Sequence, residues 1–191
     1  MRPPDVRQIC TAEWGAFAYL RRKKWATMQI PLSAIAESVT LISAANAAPV
    51  ALRRLLSDRY STPVDGGMVL RDGRRLLGPS KTWRGVAFAI LVPVCLSPLM
   101  GLSWRAGGLV GASAMAGDCI ASFLKRRLGF AASSMALGLD QIPESLLPAI
   151  SMRAYAQLSG IDIIMVVLIF FVVELALSRV FFHLGLRERT Y

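Results

Sequence analysis

Residues 164–177 read IMVVLIFFVVELAL, with Glu174 the one charge in the run. With its apolar neighbours the segment extends over 161–186, beyond the roughly 20 residues a helix needs to cross a bilayer. A chain that places backbone in hydrocarbon must satisfy every N–H and C=O internally, so the choice narrows to helices or a closed barrel. Four more segments fit helices. They cover 31–52, 86–102 (with Pro93 and Pro98 as bends), 106–124, and the short 134–150, which holds Asp140, Gln141 and Glu144. The third is rich in Gly, Ala and Ser, residues that let helix backbones approach closely. The fold class expected is all-α: a polytopic membrane helix bundle of about five transmembrane helices with a Gly/Arg-rich cytoplasmic loop. Residues 1–29 are an N-terminal extension, peripheral or disordered, and residues 30–191 form the integral membrane domain.

Composition agrees. Mean hydropathy is +0.50, and charged residues are 18% of the chain, against about 25% in soluble domains. Disorder is excluded by the hydrophobicity. The 22 Lys+Arg against 12 Asp+Glu give a net charge of +10, which suits basic loops facing anionic head groups and phosphates. Cys10, Cys95 and Cys119 have no CxxC spacing, and His183 is the sole histidine. A disulfide framework, a structural zinc site and multi-histidine metal chemistry are thereby disfavoured. Oxygen ligands for a hard cation remain.

Loop charges orient the spans. Arg53, Arg54, Arg59, Arg71, Arg74, Arg75, Lys81, Arg84, Lys125, Arg126, Arg127, Arg187 and Arg189 fall on one side, and Arg105 and Arg153 on the other. The first side is expected to be cytoplasmic, in the cell inner membrane. Arg21, Arg22, Lys23 and Lys24 oppose that assignment, and a start at Met28 would remove the conflict. A cleaved signal peptide is the competing reading of the first segment, with Ala45-Asn46-Ala47 as its small-residue site. Arg53 and Arg54 follow too closely to favour it.

Polar residues inside spans need a partner or a task. Asp118, Ser122 and Lys125 share one helix face, and Asp140 and Glu144 are one turn apart. The short basic loop KRRLGF should make the third and fourth segments antiparallel neighbours, so Asp118 and Asp140 would face each other near the cytoplasmic surface. A divalent cation could bridge them. A buried ion pair, Asp118 with Arg127 or Asp140 with Arg126, is the equal alternative. The loop PVDGGMVLRDGRRLLGPSKTWRG at 63–85 combines glycines, aspartates and cations, which suits phosphate binding. It lacks P-loop spacing. Asn46 with Pro49 shapes a pocket or a kink in the first span. Glu37, Glu174 and Arg179 fit interhelix pairing or snorkelling. The cations lie beside spans without interleaved base-stacking aromatics, so no nucleic-acid partner is expected.

Taken in order, N-x-x-P from Asn46, P-x-D-G-G at 63–67, D-G-R-R-L-L-G-x-S-K-T-W-R-G at 72–85, G-D at 117–118, S-F-L-K-R-R-L-G at 122–129 and L-D-Q at 139–141 resemble the CDP-archaeol synthase family. These are small membrane cytidylyltransferases related to the phosphatidate cytidylyltransferases, and the resemblance covers about residues 30–186. It implies Mg²⁺-dependent transfer of CMP from CTP to a membrane lipid phosphate, giving a CDP-lipid and pyrophosphate. On this reading Asp118 and Asp140 are the metal-binding and catalytic carboxylates, and Lys81 and Lys125 the catalytic cations. Arg126 would neutralise triphosphate, and Arg74, Arg75 and Arg84 would hold triphosphate or lipid phosphate. Asp65, Asp72, Ser80 and Thr82 would shape the loop or bind nucleotide. Asn46, Ser122, Arg127 and Gln141 complete the substrate-binding set. The partners implied are CTP and a bilayer lipid phosphate, archaetidic or phosphatidic, with a homo-oligomer compatible. The competing functions are a phosphatidate cytidylyltransferase-like activity on a bacterial lipid phosphate and a non-catalytic scaffold or transporter. A CDP-alcohol phosphatidyltransferase is disfavoured, because its D-G-x-x-A-R run is absent.

Overall fold

The computed structural model describes residues 31–183 except Asp58, Ala132, Ser133 and Met135, with side chains to residue 179. The expected extension at 1–29, the side chain of His183, and Arg187 and Arg189 lie outside the described residues. Within them are five α-helices: α1 Leu32–Leu56, α2 Trp83–Leu96, α3 Trp104–Arg127, α4 Gln141–Ala156 and α5 Gly160–His183. A 3₁₀ turn, Ser97–Met100, continues α2. Apart from two isolated bridges in the loop after α1, the described residues contain no strand.

The helix ends follow from local chemistry. Thr82 caps α2, its hydroxyl accepting from Gly85 N, and Ser103 caps α3 by accepting from Ala106 N. These bonds satisfy backbone donors that a first turn otherwise leaves open. Pro98 turns the end of α2 into the 3₁₀ segment, and Gly101, at φ 76°, closes it. A left-handed residue there is what glycine allows without steric cost.

Helix α3 is the centre of the bundle and packs on α1, α2 and α4. Its small residues make this geometry. A Cβ on Gly107 would strike the Pro93 carbonyl, one on Gly111 would strike Ala89 and Ile90, and one on Gly117 would strike Pro143 and Glu144. The glycines therefore admit two neighbouring backbones where larger residues could not. Leu41, Ile42 and Ala45 of α1, Val110 and Ala114 of α3, Met152 of α4, and Val166 and Phe170 of α5 are buried. Large apolar side chains such as Leu91, Ile164, Leu168 and Val172 are exposed on the outside, as lipid-facing helices require.

Four of the helical segments, Leu32–Leu56, Trp83–Met100, Trp104–Arg127 and Gly160–Arg179, are long and apolar enough to cross a membrane. The fourth expected span differs. It begins at Gln141 rather than 134, and its 16 residues reach only about 24 Å. Asp140 is its N-cap, not an intrahelical residue. Gly138, at φ 80°, and Pro143 in the first turn set that start, since proline suits a first turn whose N–H groups are unpaired anyway. Gly117 meets Pro143, and Ser113 Oγ lies 3.1 Å from Ser151 Oγ, so α4 runs antiparallel to α3. Gly117 is ten residues before Arg127, or about 15 Å along the helix. The chain after α3 therefore folds back into the bundle before α4 starts, and α4 covers only the remaining depth.

Candidate functional site

The loop between α1 and α2 is built around Asp65. Its side chain is fully buried. One carboxylate oxygen accepts from Gly67 N (3.0 Å) and Arg75 Nη2 (2.9 Å). The other accepts from Leu77 N (3.2 Å) and Gly78 N (2.9 Å). Gly78 takes φ 106° to present that N–H. Burial alone would raise the Asp65 pKa, but the backbone bonds from Gly78, Gly67 and Leu77, with the Arg75 bond, outweigh it and hold the carboxyl below its ordinary value. Of its two expected roles, Asp65 shapes the loop.

The loop is clamped onto the end of α3 by arginines. Arg74 Nη1 donates to the carbonyls of Arg126 (3.1 Å) and Arg127 (3.0 Å). Arg127 donates to Arg75 O (2.8 Å) and pairs with Asp72. Arg126 donates to Phe130 O and Ala131 O, both at 2.8 Å. Arg74, Arg75 and Arg126, with Gly78, Pro79, Gly129 and Phe130, enclose a basin of about 300 Å³. That volume is at the lower end for a small-molecule pocket. The Nε atoms of Arg75 and Arg126 are buried with no hydrogen-bond partner. A planar guanidinium with an unused donor beside a basin is suited to phosphate.

Beneath the loop, Lys81 binds both carboxylate oxygens of Asp118. Burial would lower the Lys81 pKa, but Asp118 above all, and Glu144 after it, raise it past its ordinary value, so the lysine is charged. Glu144, from the first turn of α4, lies against Asp118 within hydrogen-bonding reach. A second pair sits nearby in the chain: Lys125 Nζ is 2.7 Å from Asp140 Oδ1 and donates to Ser134 O at 2.9 Å, while Asp140 Oδ2 accepts from Ala136 N at 3.1 Å. Both lysines are thus engaged by aspartates, but the pairs are not those anticipated: Asp118 pairs with Lys81 rather than Arg127, and Asp140 with Lys125 rather than Arg126.

The remaining expected site residues divide. Ser122 is buried on α3 between Asp118 and Lys125. Gln141 is buried at the start of α4, where its Oε1 accepts from Gly138 N (2.8 Å) and its Nε2 has no partner. Ser80 is exposed on the loop. Thr82 acts as a helix cap. Arg84 does not line the basin: its guanidinium donates to the carbonyls of Ser57 and Arg59 after α1. Asn46 lines a separate cleft between α1 and α5. Glu144 was given no role from the sequence, although its position one turn after Asp140 was visible.

The oxygen donors suit a hard cation completed by substrate. Mg²⁺ is held by one or two carboxylates plus phosphates rather than by a protein cage. Asp118 and Glu144 bring carboxylates together from two helices, and among the described residues no group of three or more His, Cys, Asp or Glu could hold a metal unaided.

The chain is similar to known proteins in both sequence and fold. The family described as "CarS-like: CDP-archaeol synthase" matches residues 55–106 and 103–191. A CDP-archaeol synthase of Hyperthermus butylicus is 37% identical over 123 residues, covering 61% of this chain and 70% of that protein. One of Sulfurisphaera tokodaii is 33% identical over 142 residues, covering 68% and 82%. A solved structure, of an intramembrane enzyme for archaeal membrane lipids biosynthesis, superimposes with a TM-score of 0.65 at 28% identity, covering 74% of this chain and 90% of that one.

Proposed function

This chain belongs to the CDP-archaeol synthase family, and from that premise we propose how its residues perform CTP-dependent cytidylyl transfer to a lipid phosphate within the membrane. The observation that supports the reading most is that one loop and one helix carry both halves of the site: Gly78, Pro79 and Arg126 line the arginine basin, while Lys81 of the same loop and Asp118 of the same helix form the buried pair with Glu144 beside it.

In this reaction an oxygen of the lipid phosphate attacks the α-phosphorus of CTP. A new P–O bond forms, the bond to the β-phosphate breaks, and pyrophosphate leaves with the electron pair. The attacking oxygen is already anionic at neutral pH, so no general base is needed. The difficulty is bringing two anions together and stabilising the charge on the leaving group, which positioning and electrostatics can supply. Arg74, Arg75 and Arg126 hold the triphosphate in the basin. Lys81 and Lys125, each paired with an aspartate, are cations that phosphates can draw over. Asp118 with Glu144 beside it, or Asp140 on the Lys125 side, would supply the one or two carboxylates that hold Mg²⁺. When bound, it would supply neutralising charge to phosphate oxygens.

The basic loop and both ends that flank it belong to the cytoplasmic side by the positive-inside rule, where CTP is available. An archaeol-type lipid phosphate is the first candidate acceptor, given the names of the relatives, and phosphatidic acid is the second. The test is direct. Purified protein in detergent or nanodiscs, with CTP, Mg²⁺ and either lipid phosphate, should release pyrophosphate only when both substrates are present, with a CDP-lipid of the expected mass. Absence of product with both lipids would overturn the reading. Pyrophosphate without a CDP-lipid would reduce it to CTP hydrolysis.

A further inference from the structure

A cleft distinct from the arginine basin lies between α1 and α5. Ser43, Asn46, Ala47 and Val50 line one wall, and Phe170, Glu174, Leu177 and Ser178 the other. Two of its polar atoms, Ser43 Oγ and Asn46 Nδ2, are buried with no hydrogen-bond partner. Buried donors of this kind are rare, because leaving water without a partner is costly. In a membrane-embedded wall the cost has no solvent remedy. The two atoms are one turn apart on the same face of α1, so one ligand can reach both.

Size, charge and depth identify the ligand. The cavity is about 40 Å³, room for a few heavy atoms and far below what a nucleotide requires. Glu174 in the wall disfavours an anionic group, and places the phosphate itself elsewhere. Asn46 is seven residues before Arg53 in the last turn of α1, which is about 10 Å deeper along the helix. Asp118 is nine residues before the end of α3, a comparable depth of about 14 Å. Glu174 is close enough to Glu144 for their charges to interact, and Glu144 touches Asp118. The cleft therefore lies at about the depth of the Lys81–Asp118 cluster, with Glu174 on the side toward Glu144, at the level where a head group gives way to chains.

We propose that this cleft seats the neutral glycerol-backbone oxygens of the lipid phosphate, with Asn46 and Ser43 donating to them, while the phosphate reaches the Lys81–Asp118 cluster. The assignment rests on the cytidylyl-transfer reading and names the place where its lipid substrate enters.

The experiment compares wild type with Asn46→Leu, Ser43→Ala and Leu177→Trp, the last filling the cleft with apolar bulk. Lipid-phosphate binding without CTP is measured by native mass spectrometry with the phosphatidic and archaeol-type acceptors, and CTP binding by calorimetry. Thermal unfolding in detergent checks that each variant folds. Asn46→Leu and Leu177→Trp should weaken lipid-phosphate binding about tenfold or more, equivalent to 1.4 kcal/mol, and Ser43→Ala less. CTP affinity should stay within about twofold. Unchanged lipid binding in the folded Asn46 and Leu177 variants, or a parallel loss of CTP binding, overturns the proposal. A wild type that binds both substrates but makes no CDP-lipid overturns the reaction instead, and leaves the cleft to be decided by the binding arm.

Discussion

Gly117 of α3 lies against Pro143 of α4 so closely that a β-carbon on the glycine would collide with the proline carbonyl and approach the Glu144 backbone. This contact fixes the depth at which α4 starts, and hence where Glu144 meets Asp118. Gly117→Ala must push the helices apart at the site. The expected cost is about 1–3 kcal/mol, as for other overpacked interiors, with a loss of CDP-lipid formation larger than the loss of folded protein. Thermal unfolding and turnover measured on the same preparation check this. Unchanged values for both would mean the helices can shift freely at that point.

Lys81 and Asp118 are paired, and the proposed chemistry needs that lysine charged and able to turn toward phosphate. Lys81→Ala should lower turnover by about 10²–10³-fold, the range for removing one preorganised transition-state donor. Asp118→Asn should also abolish product. The double variant Lys81→Met with Asp118→Asn replaces the buried pair by neutral groups and should fold about as well as wild type. A double variant that is stable and inactive separates catalysis from structure, and one that keeps full activity refutes both roles.

The four long spans were legible because hydropathy over some twenty residues is a strong signal, and the basic face of the bundle was legible from loop charges. The start of α4 was not. Residues 136–139 read as the start of an apolar span, yet Gly138 in a left-handed turn, Asp140 as N-cap and Pro143 in the first turn make them the lead-in to a shorter helix. Ion-pair partners escaped for a related reason. Helix periodicity says which side chains share a face, but Lys81 is brought to Asp118 from another segment by a loop organised around a single buried aspartate. Glu144 was visible as a neighbour of Asp140, while its contact with Asp118 depends on the Gly117 crossing. Arg84 belonged to the right motif, but its guanidinium reaches back to the end of α1.

The four hydrogen bonds converging on Asp65 predict an acid limit for the loop. Its carboxyl is held below the ordinary value of 3.8, so the folded loop favours the ionised form. The stabilisation is fully present above that ordinary value and is lost as pH falls through the lower, folded one. Hydrogen exchange at the Leu77 and Gly78 amides, corrected for intrinsic rates, should therefore stay slow from neutral pH to about pH 4 and quicken below it. Asp65→Asn should give fast exchange at every pH, since an amide turns an N–H donor toward other donors. Fast exchange in wild type at neutral pH would show that the carboxylate does not organise the loop.

Lys125 and Asp140 join the last turn of α3 to the cap of α4, and their side chains are 10% and 12% exposed. Removing one partner from so buried a pair leaves the other charge uncompensated. Lys125→Ala should therefore destabilise the protein by about 3–5 kcal/mol, more than an exposed pair would cost. Lys125→Met with Asp140→Asn should recover most of that loss, because both charges go together. Activity distinguishes the roles. If the pair only ties the folded-back loop to α3, the double variant should regain turnover along with stability. If Lys125 also meets phosphate during transfer, as proposed, the double variant should be stable and at least about 10²-fold slower, with CTP dependence more affected than yield. Unfolding midpoints and steady-state kinetics on the two variants decide between these outcomes.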